Sequence, residues 1–145
     1  MLDKNCTFCK IVDGNISARI ISQNDNAIAF VDAFSLSVGH TLVIPKRHYS
    51  KLQDMNRGYS SAMFDLLRVV TEAVEKATRA KASTIAIHNG AEAGQVILHV
   101  HIHIIPRFSG DGAGPVHSMF KNRPNINSEE MDSMLDRIKQ ALELS

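Results

Sequence analysis

The sequence predicts an α+β fold in which an antiparallel β-sheet carries one long covering helix and a C-terminal helix. Three observations lead to it. Short β-prone runs follow one another with brief turns between them, Ser60 to Arg79 shows helical periodicity, and a second helical pattern closes the chain. With 145 residues, 44% of them hydrophobic, the chain fits one domain over residues 1–145 with a real core.

The elements follow in order. Ala18 to Ser22 and Ala27 to Asp32 read as a hairpin around Asn24-Asp25-Asn26, whose side chains suit tight turns. After Gly39, His40 to Ile44 makes a third strand that stops at Pro45. In the long helix, Met63, Leu66, Leu67, Val70, Ala73, Val74 and Ala77 recur at i, i+3, i+4 spacing and face the sheet. Ser83 to His88 and Val96 to Ile105 are two further strands around the loop Asn89 to Gln95. From about residue 106 a loop rich in glycine and proline runs to Asn127. That residue caps a last helix, with Glu130 three positions on completing a capping box.

Charge narrows the function. Sixteen Lys and Arg against fifteen Asp and Glu leave a formal charge of +1, which excludes a general nucleic-acid binder. No apolar run is long enough for a membrane span and the N-terminus lacks a signal-peptide core, so the expectation is a cytoplasmic protein. The only cysteines, Cys6 and Cys9, form a C-x-x-C that reads in a reducing compartment as metal-binding or redox, or as two buried free thiols.

The stretch Leu98-His99-Val100-His101-Ile102-His103-Ile104-Ile105 places three histidines at alternate positions. On a strand they share one face while Val100, Ile102 and Ile104 share the other. Three adjacent imidazoles would repel one another on protonation, so a shared reactive function fits better than exposure by accident. A metal centre built from the triad is the alternative; two of these rings could share one zinc, but three on a flat strand could not easily do so.

His99-Val100-His101-Ile102-His103-Ile104-Ile105 resembles the H-φ-H-φ-H-φ-φ signature of the histidine triad (HIT) superfamily of nucleotide hydrolases and transferases. The resemblance extends to Cys6-Thr7-Phe8-Cys9-Lys10-Ile11, Ala29-Phe30-Val31-Asp32, Gly39-His40-Thr41-Leu42-Val43-Ile44-Pro45-Lys46-Arg47-His48 and Asn89-Gly90-Ala91-Glu92-Ala93-Gly94-Gln95, in family order over about residues 5–107. It implies hydrolysis or nucleotidyl transfer at the α-phosphate of a purine nucleoside phosphoramidate or dinucleoside polyphosphate, through a nucleotidyl-histidine on His101. His103 would donate to phosphate oxygens. Asn89, Gly90 and Gln95 would complete the phosphate site, with His88 beside it, while Asp32 would receive the ribose hydroxyls and Phe8, Ile11 and Phe30 would form the base slot. Cys6, Cys9, His48 and His99 match a zinc-binding subset, and a homodimer with joined sheets is implied. His40 matches a family position and is assigned orientation or packing only.

Two positions depart from the pattern. Val96 stands where a Ser or Thr hydroxyl usually lies near the leaving group, and His88 replaces an Asn or Gln. These departures keep open a second reading, a low-turnover nucleotide-binding or sensing dimer.

Overall fold

The computed structural model describes residues 2–144. Two compact units divide between Asp111 and Gly112. The first holds α1 (Thr7–Val12), β1 (Ile20–Gln23), β2 (Ala27–Val31), β3 (Thr41–Pro45), α2 (Arg57–Thr78), β4 (Ala82–Ala86) and β5 (Ile102–Arg107). All five strands form one antiparallel sheet in the order β1-β2-β3-β5-β4.

Alternation decides what each face of the sheet covers. Ala27, Ala29, Val43, Val100, Ile102 and Ile104 pack with Met63, Leu66, Leu67, Val70 and Val74 of α2. Ile28, Phe30, Leu42 and Ile44 meet Cys6, Phe8 and Cys9 of the α1 region on the other face. Strands β2 and β3 are therefore buried on both sides, which is why they read as unbroken apolar runs. Helix α2 begins at Asn56, whose side chain accepts the Tyr59 N–H, and ends at Arg79 in the left-handed region. The predicted Asn24 turn is also present, its Oδ1 accepting from the Asn26 and Ala27 amides.

Several boundaries differ from the sequence expectation, those of β5 most. The ladder of β5 starts at Ile102, not Val96, so His99 and His101 precede the strand and only His103 lies in it. The backbone before it is held differently: the Val100 amide donates to the Tyr49 carbonyl at 2.7 Å, outside the sheet. Pro106 and Arg107, assigned to the loop, continue β5 and pair with Ser83 and Ala82. Because β3 pairs with β5 only as far as Ile104, the missing Pro106 N–H removes no bond to it. The short helix α1 has no sequence precursor in the expectation; at six residues it is too brief for a periodic pattern to register.

In the second unit, α3 (Ser128–Glu143) carries the predicted capping box, with Asn127 and Glu130 bonded reciprocally. None of its residues is buried, Met131, Met134, Leu135 and Ile138 included. Among the described residues no helix is long and apolar enough to cross a membrane.

Candidate active site and metal centre

The three triad histidines point to one side, as alternation requires, because Val100, Ile102 and Ile104 are driven into the α2 core. Each imidazole then meets a different environment. His99 is fully buried, its Nε2 donating to the Pro45 carbonyl at 2.9 Å. A carbonyl cannot donate, so His99 Nδ1 is left bare. It lies 3.5 Å from Cys6 Sγ and 3.6 Å from Cys9 Sγ, while Cys9 Sγ is 3.4 Å from His48 Nδ1.

These four ligand atoms form a group that could hold a metal ion. Tetrahedral bonds of about 2.3 Å to sulfur and about 2.1 Å to nitrogen would place S and N about 3.6 Å apart, and the observed spacings match. The C-x-x-C works here because Cys6 is the N-cap of α1 and Cys9 lies in its first turn, which brings the two sulfurs together. Burial pushes the Cys9 thiol up, a cost that a bound cation would reverse by taking the thiolate. The Pro45 carbonyl supplies the outer hydrogen bond that fixes a ligating histidine.

His101 is also buried, and its Nδ1–H donates to the His99 carbonyl at 2.7 Å. Its Nε2 therefore carries the lone pair. Burial, the largest influence, lowers its pKa, so the ring is neutral near pH 7. The Phe8 ring stands edge-on to His101 at 5.2 Å and to His99 at 5.8 Å, held between the two cysteines in sequence. Phe8 also meets Phe30 at 5.8 Å, and Ile11 packs against the same cluster.

His103, in β5, has its ring 5.0 Å from His101 and 5.5 Å from His88. Burial and the neighbouring histidines lower its pKa to about 4. A histidine that titrates near 4 when folded and near 6.5 when unfolded costs the fold nothing above the latter value and destabilises it below. Between them the unfolded chain binds more protons, so stability falls as pH drops from about 6.5 to 4. The expected loss is on the order of 1–2 kcal/mol after solvent screening of a half-buried ring, read as a falling Tm across that window that is shallower in His103→Gln, with the remainder left to His99 and the other lowered histidines.

Asp32 Oδ1 accepts the Phe34 amide, and its Oδ2 lies 3.5 Å from His40 Nε2. The loop from Asn89 to Gln95 is closed by its own side chains. Gln95 is buried, with Oε1 accepting the Gly90 N–H and Nε2 donating to the Ser50 carbonyl; Asn89 bonds to Leu52 and Gln53. These bonds shape the loop. Gly90 and Gly94, with φ of 115° and 90°, permit that closed form.

The profile of the HIT domain family matches residues 13–110. The chain belongs to the HIT family. Among relatives of this HIT chain is the adenylylsulfatase HINT3 of Arabidopsis thaliana, 35% identical over 128 residues, or 88% of this chain and 65% of the plant protein. The asymmetrical bis(5′-nucleosyl)-tetraphosphatase of Schizosaccharomyces pombe is 36% identical over 66% of this chain and 53% of its own length. The crystal structure of SMU.412c from Streptococcus mutans superposes with a TM-score of 0.87 at 28% identity, over 97% of this chain and 87% of that one. A Zn-bound histidine triad family protein from Mycobacterium smegmatis gives 0.70 at 29% identity, over 94% and 97%. HIT proteins are nucleotide-binding hydrolases and transferases, so the fold and the broad chemistry of this chain follow from membership.

Sequence reasoning picked out His40 but not its partner. Its position after Gly39 was visible; its bond to His103, 63 residues away, was not.

Proposed function

We propose that this HIT chain hydrolyses or transfers the nucleotidyl group of purine nucleoside 5′-phosphate derivatives through a nucleotidyl-His101 intermediate. The carrying observation is the 2.7 Å bond from His101 Nδ1 to the His99 carbonyl, which leaves a neutral Nε2 lone pair for attack. That nitrogen attacks the α-phosphorus, a P–N bond forms and the bond from phosphorus to the leaving group breaks. Water then attacks phosphorus, the P–N bond breaks, its electron pair returns to Nε2 and the water proton is released.

His103 Nε2, a buried atom with no partner among the described residues, donates to the phosphate oxygens where charge develops. Asp32 accepts the ribose hydroxyls, and Phe8, Phe30 and Ile11 form the wall for the base. Asn89, Gly90 and Gln95 hold the adjoining loop, and His88 borders the phosphates. Cys6, Cys9, His48 and His99 hold a structural zinc, which would tie α1 to the segment leading into β5. A homodimer joined through the exposed edge strand β4 completes the reading. The free thiol pair, kept reduced for the metal, favours a cytoplasmic setting.

Val96 is 92% exposed and brings no hydroxyl to the leaving-group side. Leaving groups that depart without a proton, as a sulfate or a nucleotide does, are therefore favoured over amines. The adenylylsulfatase and tetraphosphatase relatives support this preference by their names. The same Val96 favours the second reading, a nucleotide-binding dimer with little turnover. Rapid quench with adenylyl sulfate, diadenosine tetraphosphate and adenosine phosphoramidate tests both. The expected result is an adduct of one AMP on the His101 peptide with the first two substrates turned over faster; nucleotide binding without any adduct would select the second reading.

A further inference from the structure

Among the described residues a second cluster, Asp32, His40 and His103, also groups three ligand-type atoms. Its distances describe a hydrogen-bonded chain. The Leu36 amide donates to His40 Nδ1 at 3.0 Å, and a backbone N–H can only donate, so that nitrogen carries no proton. The single proton of neutral His40 is then on Nε2, which lies 2.9 Å from His103 Nδ1. That separation holds one shared proton, whereas two nitrogens on one tetrahedral metal would stand about 3.4 Å apart.

We infer that His40 is a positioning residue which fixes the tautomer of His103, delivering its proton to Nε2 and so making His103 a donor toward an acceptor-only ligand. The inference deepens the nucleotidyl-transfer reading and rests on it for the identity of the ligand. With Nδ1 occupied by the bond from His40, the lone proton of His103 has one place left. Among the described residues His103 Nε2 is the buried side-chain nitrogen with no partner, so the donor is aimed at a ligand oxygen. Fully ionised phosphate oxygens accept and never donate, and they match it. Burial depresses the pKa of both rings, which keeps the chain in its neutral form.

The local fold is built to hold this arrangement. The Asp32 amide donates to the His40 carbonyl and the His40 amide to the Ser37 carbonyl, closing residues 32–40 on themselves and presenting the Leu36 N–H inward. Gly39 has φ of 86°, and a Cβ there would stand 2.5 Å from Thr78 Cγ2. Asp32, at 3.5 Å, is too distant to take the His40 proton in place of His103.

The test is long-range 1H–15N correlation of the histidine rings in the full chain at pH 7.5, with AMP binding and kcat/KM measured in parallel. In the parent, His103 is expected as the Nε2–H tautomer. In His40→Leu it is expected to shift toward Nδ1–H, with AMP bound more weakly and kcat/KM lowered about 10–100-fold. In His40→Gln, whose amide can donate from the same place, tautomer and kcat/KM are expected to recover to within a few-fold. An Nδ1–H tautomer in the parent, or an unchanged Nε2–H tautomer in a folded His40→Leu chain, overturns the inference. The ring spectra are read without substrate, so failure of every nucleotide to turn over would strike the functional reading and leave the tautomer assignment standing.

Discussion

His101→Asn is expected to lower kcat by about 10⁴-fold or more while leaving AMP affinity within a few-fold of the parent. Loss of a nucleophile removes the covalent route itself, whereas loss of a binding contact would act on KM. The geometry makes His101 the single candidate of the triad. His99 has its Nδ1 turned to two sulfurs and its Nε2 spent on Pro45, and His103 has its Nδ1 engaged by His40. Only His101 combines a bound Nδ1–H with an uncommitted, neutral Nε2. Steady-state kinetics with adenylyl sulfate and calorimetry with AMP check this together. A variant retaining a tenth of parental turnover would remove His101 from the nucleophile's role.

Removing the metal is the second large effect. Cys9→Ala is expected to abolish binding of one zinc per chain and to lower Tm by on the order of 10 °C, because an ion that binds only the folded chain stabilises it by its full affinity. The cavity of about 380 Å³ lined in part by Asp3, Cys6, Thr7, His48 and Val96 gives a chelator a path to the same centre. Turnover should fall with the metal. His99 would be a ligand through its ring and holds the His101 tautomer through its carbonyl, and Phe8, between the two cysteines, braces both rings. Metal analysis of His101→Asn separates this from a centre built on the triad. Zinc retained there and lost in Cys9→Ala is the expected pattern; retention in Cys9→Ala would overturn the S2N2 assignment.

Much of this was legible in one dimension because it depends on period and local chemistry. The α2 face, the Asn24 turn and the Asn127–Glu130 box each use residues within one or two turns of each other. The even spacing of His99, His101 and His103 likewise announced a common side before any strand was known. Where reading by period failed, long-range contacts had displaced it. The β5 ladder starts late because Val100 is bonded to Tyr49.

By itself the sequence determined the fold class, the family and the set of side chains that could do the chemistry, since alternation and motif spacing are properties of the chain. The tertiary structure decided which partner each imidazole of the triad meets. A ring's chemistry depends on where its proton sits, and a proton's place is set by partners distant in sequence: the Pro45 carbonyl for His99, His40 for His103, and the His99 carbonyl, placed by the packing of Val100 and Ile102, for His101.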